Sequence, residues 1–133
     1  MQKCMEKLSD YEYPIFKTEI MKTDTKFNTM EKMCDEITRI IKSDPKLTWL
    51  CDFDHMKHTL DVVKGPVRED IKAARCLVFC FGISIPNPLV LAARPRSFGV
   101  VDVGDKFIIS FLAAPREGTN ETMTAWIDGL VKK

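Results

Sequence analysis

Two spacings of apolar residues divide the chain into helices and strands. Met30, Met33, Cys34, Ile37, Ile40 and Ile41 recur at intervals of three and four, which puts them on one side of a helix. Asn28 or Thr29 caps that helix, with Glu31 at the capping-box distance from Asn28. Asp44-Pro45 ends it, because proline drives the residue before it out of the helical region. Met123, Trp126, Ile127, Leu130 and Val131 repeat the pattern in a last helix, capped by Asn120.

A period of two marks the strands. Pro14 opens one over residues 15–22, where its missing N–H does little harm. Leu47, Trp49, Cys51 and Phe53 alternate with Thr48, Leu50 and Asp52, so the first set is expected on the core face of a buried, central strand. Residues 76–81 are apolar at every position, as in an interior strand. Residues 98–103 and 106–112 flank Gly104-Asp105 and predict a hairpin with a glycine-led two-residue turn. That register sets Val100 opposite Ile109 and Asp102 opposite Phe107. Phe98, Val100, Phe107, Ile109 and Phe111 then share one apolar face.

The connections are shorter. Residues 60–64 read as irregular or a short strand, and Pro66 opens a brief helix through Ala73. Asn87 caps a short buried helix over 88–93, which stops before Arg94 because Pro95 follows. The expected fold is α+β: about five largely antiparallel strands with helices packed on one face. Residues 1–13 read as a flexible or helical lead-in to a single domain over 14–133.

Composition narrows the function classes. Of 133 residues, 45% are hydrophobic, enough for a core. Lys and Arg number 20 against 19 acids, so no basic excess draws the chain to nucleic acid. No apolar run reaches the ~18–20 residues of a membrane span, and the first residues lack the apolar stretch of a signal peptide. Five cysteines without such a signal suit reduced thiols and a cytoplasmic location. For the same reason the glycosylation pattern Asn120-Glu121-Thr122 reads as empty.

Candidate chemistry falls in two stretches. Both histidines lie in Asp54-His55-Met56-Lys57-His58-Thr59. If the chain stays extended there, the two rings separate. If the Asp54 carboxylate caps one helical turn, residues three apart share a face and the rings converge. Converged, His55 and His58 are candidate metal ligands, or an acid/base pair with Asp54 orienting one ring. Lys57 adds a cation. The plainer reading is a polar turn whose side chains satisfy backbone groups. The second stretch is Arg94-Pro95-Arg96-Ser97. Extended backbone would send both guanidinium groups to one side, where they and the Ser97 hydroxyl would clamp a carboxylate or phosphate. The plainer reading pairs each arginine with a surface acid. No phosphate loop, nucleophile elbow, zinc-helix motif or dinucleotide fingerprint is present, so no cofactor is named.

Phe53-Asp54-His55-Met56-Lys57-His58-Thr59, Phe79-Cys80-Phe81-Gly82, Pro86-Asn87-Pro88, Ala93-Arg94-Pro95-Arg96-Ser97, Ala114-Pro115 and Asn120-Glu121-Thr122-Met123 together resemble a family of small uncharacterised prokaryotic proteins. The likeness runs from Tyr13 through nearly the whole chain. More distantly, a strand ending in Phe-x-His and a later Gly…Asn-Pro before a helix is similar to a widespread bacterial domain of unknown function. That domain has an α+β fold like one half of the TATA-box-binding protein. The resemblance implies a fold and a dimer, and no reaction. The near-neutral charge argues against carrying over DNA binding.

The functional expectation is a module that binds a small anionic or metal-bearing ligand through His55, His58, Arg94 and Arg96. The alternatives are an enzyme with histidine acid/base and an anionic substrate, or a homodimeric interaction protein without a small-molecule site. The first two require the imidazoles and guanidiniums to reach one cavity.

Overall fold

A computed structural model describes residues 2–7, 14–82, 84–115 and 117–131. Strands β1 (Gln2–Lys7), β2 (Pro14–Met21), β3 (Thr48–Asp54), β4 (Ala73–Cys80), β5 (Arg96–Asp102) and β6 (Lys106–Leu112) form one sheet. Its order is β1-β2-β6-β5-β4-β3, and every neighbouring pair is antiparallel. The helices are α1 (Met30–Lys42), the single turn α2 (His55–Lys57) and α3 (Glu117–Asp128). The expected α+β architecture is what the chain adopts. No helix among the described residues is long and apolar enough to cross a membrane.

Thr29, and not Asn28, caps α1: its hydroxyl oxygen accepts the Lys32 N–H at 3.1 Å. Met33, Cys34, Ile37 and Ile41 form the buried side of that helix. α1 carries the chain from β2 to β3 at the far edge of the sheet, and β3 to β6 then return as a meander. The hairpin has the expected register, with Val100 opposite Ile109 and Asp102 opposite Phe107. Gly104 supplies the positive φ of its turn, 106°. One core joins Ile20, Leu77, Phe79, Phe98, Val100, Phe107 and Ile109 of the sheet to α1 and to Met123, Ile127 and Leu130 at the C-terminal end. Trp126 stacks on Phe81 with ring centres 5.6 Å apart. Thr25 closes the seam by donating its hydroxyl to the Leu130 carbonyl at 2.5 Å.

Five local expectations are corrected. Asn120, read as the cap of the last helix, lies inside α3, which begins at Glu117, and its side chain instead bonds both backbone groups of Ala114. Residues 2–7, read as flexible or helical, form a strand, because the outer edge of β2 offers unpaired backbone groups that any extended segment can satisfy. Residues 8–13 of that lead-in lie outside the described residues. The helix predicted from Pro66 to Ala73 is absent: β4 begins at Ala73, where it pairs with Asp102 of β5. Residues 58–63 form a wide helical turn that Lys64 ends in the left-handed conformation. The short helix before Arg94 covers only Val90–Ala93 and is not buried, with Leu89 81% and Leu91 56% exposed.

Candidate functional site

β3 is an edge strand, not a central buried one. Its alternation also breaks. Trp49 pairs with Phe79, but Cys51 pairs with Val78, so a bulge at Leu50 shifts the register by one. Beyond the bulge Asp52 and Asp54 lie opposite Leu77 and Arg75, on the helix-covered face. Cys51 and Phe53 turn to the open face, where both are exposed. An alternation read straight through the bulge puts these two residues on the wrong side.

The bulge places the histidine turn. The Asp54 carboxylate accepts the Lys57 N–H at 3.0 Å and starts α2. The rings of His55 and His58 converge as the capped geometry requires, with centres 5.7 Å apart. Both rest on Phe53, at 5.5 and 5.6 Å. His55 Nδ1 and the Thr59 hydroxyl lie within hydrogen-bond distance, 3.0 Å, and that hydroxyl also donates to the His55 carbonyl. Lys57 is exposed beside them. A small hollow of about 220 Å³ adjoins His55 and Ala74. Among the described residues no three His, Cys, Asp or Glu side chains gather into a metal-binding group.

The arginine stretch does not form a two-pronged clamp. Arg94 is extended, and its Nη1 donates to the Ser84 carbonyl at 2.7 Å. Its guanidinium lies against Gly82, so close that a Cβ there would come within 2.5 Å of Nη1. Ser97 points to the opposite side of β5 from Arg96 and is exposed. Arg96 alone turns inward, at the end of the row that continues through Phe98 and Val100, and is 9% exposed. One of its nitrogens, Nη2, donates to the Leu112 carbonyl. Its Nε is buried and meets no acceptor.

Arg96 forms part of the wall of a cavity of about 620 Å³. The rest of the described wall is almost wholly apolar: Leu89, Val90, Ala92, Ala93, Leu112, Ala113 and Pro115, with Asn87 as the other polar member. The Asn87 side-chain oxygen Oδ1 accepts the Leu89 N–H at 2.8 Å, and the Nδ2 amide of the same side chain is a further donor. Among the described residues no carboxylate pairs with Arg96, and burial alone pushes its pKa below the usual arginine value. Enclosing a cation without a counter-charge costs several kcal/mol, so this guanidinium is held at a loss unless an anion joins it.

The two stretches do not share a cavity. Arg96 lies opposite Phe79, whereas Asp54, just before the histidines, lies opposite Arg75. That separation is roughly 13 Å along the strands and about 10 Å across two strand spacings. The faces differ as well: the imidazoles rest on Phe53 on the open side, and Arg96 faces the helix side. A four-residue His/Arg site is therefore not assembled.

Arg75 is the charged centre that strand patterning overlooked. It grips both carboxylate oxygens of Asp52 and donates to Glu31 of α1 at 2.5 Å. The Asp52 hydrogen bonds, ahead of the Glu31 contact, hold its pKa above the usual value. This network fastens the edge strand to α1.

A profile of a family of unknown function (DUF6858) matches residues 2–132. The chain belongs to that family. No curated protein and no solved structure matches it. Membership in DUF6858 thus brings no activity with it, and the functional reading rests on the residues above.

Proposed function

We propose that this protein binds a small anion in the cavity beside Arg96. The supporting observation is a largely buried guanidinium in the wall of a cavity of ligand size, with no carboxylate paired to it among the described residues. Such an arrangement is costly in the empty protein and favourable once an anion enters. Of the residues expected to hold an anion, Arg96 keeps that role, while Arg94 serves as a tether of its own loop. Ser97 and Lys57 lie elsewhere. The histidine pair has the convergence an acid/base site needs, but the arginine in its hollow, Arg68, is already paired with Asp70, so the enzyme reading has less to support it. The likeness to a domain resembling half of the TATA-box-binding protein adds only an analogy of fold.

The test is a titration of the full chain with acetate, phosphate and longer carboxylates, at constant ionic strength against chloride. Isothermal calorimetry should show a saturable one-to-one site that Arg96→Met abolishes. Equal responses in wild type and variant, or no saturable binding of any anion, would reject the reading.

A further inference from the structure

Resting on that reading, we infer that the anion is the head of an amphipathic monocarboxylate, with a hydrocarbon body lying along the loop between β4 and β5. Three observations converge. Among the described residues the cavity offers one cation and, in Asn87, one neutral donor, and every other wall residue is apolar. Two donors suit the two oxygens of a carboxylate. A phosphate would leave further charged oxygens against leucine, valine and alanine, where they find no partner. The single positive charge is balanced by a single negative one.

The volume is the second observation. About 620 Å³ far exceeds what a bare inorganic anion occupies and lies within the range of pockets that enclose organic ligands. The third is the rim. Leu89 lies on the cavity wall and is 81% exposed. Leu112, 40% exposed, lies on the wall and supplies the carbonyl that holds Arg96. Large apolar side chains gathered beside a buried cation form a surface with both chemistries of an acyl carboxylate. Arg94 bonded to Ser84 and packed on Gly82 fastens both ends of this loop, which keeps the apolar rim beside the cation.

The experiment compares acetate, butyrate, hexanoate and octanoate, with octanol and inorganic phosphate as controls. Calorimetry is run on the full chain below the concentration at which octanoate self-associates. Affinity should rise about fourfold for each methylene buried. Octanol should bind at least tenfold more weakly than octanoate, and phosphate more weakly still. Leu89→Ala, at an exposed position that folding does not depend on, should weaken octanoate about fivefold or more and leave acetate unchanged. If acetate or phosphate binds as tightly as octanoate, or Leu89→Ala has no effect on octanoate, the acyl inference is overturned while anion binding stands. If octanol matches octanoate and Arg96→Met binds both normally, the charge plays no part, and the anion reading falls with it.

Discussion

Arg96 donates a hydrogen bond to the main-chain oxygen of Leu112, and its own Nε faces no acceptor. The contact ties the start of β5 to the end of β6, and among the described residues no carboxylate compensates the positive charge. Replacing this arginine with methionine removes one hydrogen bond and one buried cation together. Burying an unpaired charge costs more than a single hydrogen bond returns. Arg96→Met should therefore leave the ligand-free protein as stable as wild type or up to ~2 kcal/mol more stable in urea denaturation, even as it loses anion binding. A loss above ~2 kcal/mol would show that the arginine serves the fold and not a ligand.

The histidine turn is independent of the Arg96 cavity. The double variant His55→Ala/His58→Ala should bind octanoate within about twofold of wild type. It should lose on the order of 1 kcal/mol of stability, because both rings pack on Phe53 and His55 contacts Thr59. Loss of carboxylate binding in this variant would mean that the two faces of the sheet communicate.

Arg75 and Asp52 hold β3 to β4 with a two-pronged ion pair whose side chains are 15% and 26% exposed. A double-mutant cycle with Arg75→Ala and Asp52→Ala should give a coupling energy of ~1–2 kcal/mol in urea denaturation. Glu31, with a side chain 74% exposed, should couple to Arg75 by less than ~0.5 kcal/mol. Equal coupling to both acids would contradict this ranking.

Burial pushes the Cys34 thiol from its ordinary 9.0 up to about 12. The folded protein then holds this proton more tightly than the unfolded chain does. The resulting stability is fully present below pH 9.0, declines as pH rises above it, and is gone past about 12. Between those limits wild type should lose ~1.4 kcal/mol per pH unit more than Cys34→Ala loses. Chemical denaturation across pH 8–10, roughly the accessible part of that window, tests the difference in slope. Of Cys34, Cys51, Cys76 and Cys80, a thiol reagent at neutral pH should modify exposed Cys51 first and Cys34 last, since only a reachable thiolate reacts.

How far the amino acids announced these features depends on the kind of information each needs. α1 and the β5–β6 hairpin were legible because their patterns are local: Ile37 and Ile41 recur with the helical period, and Gly104 marks its turn. Convergence of His55 and His58 was legible as one of two alternatives, and the capping by Asp54 selects it. The facing of Cys51 and Phe53 was not legible. One extra residue at Leu50 reverses every side chain after it, and nothing in the composition of Trp49-Leu50-Cys51 distinguishes a bulge from a regular strand.

The order of apolar and polar residues determined by itself that this chain forms an antiparallel sheet with helices on one face, since periodicity and turn chemistry act between near neighbours. Only the tertiary structure decided that β3 lies at an edge, that the imidazoles and Arg96 occupy opposite faces, and that one arginine of the pair enters a cavity while the other holds a loop. These are relations between strands far apart along the chain, and strand pairing, unlike periodicity, is set by the packing of the whole sheet.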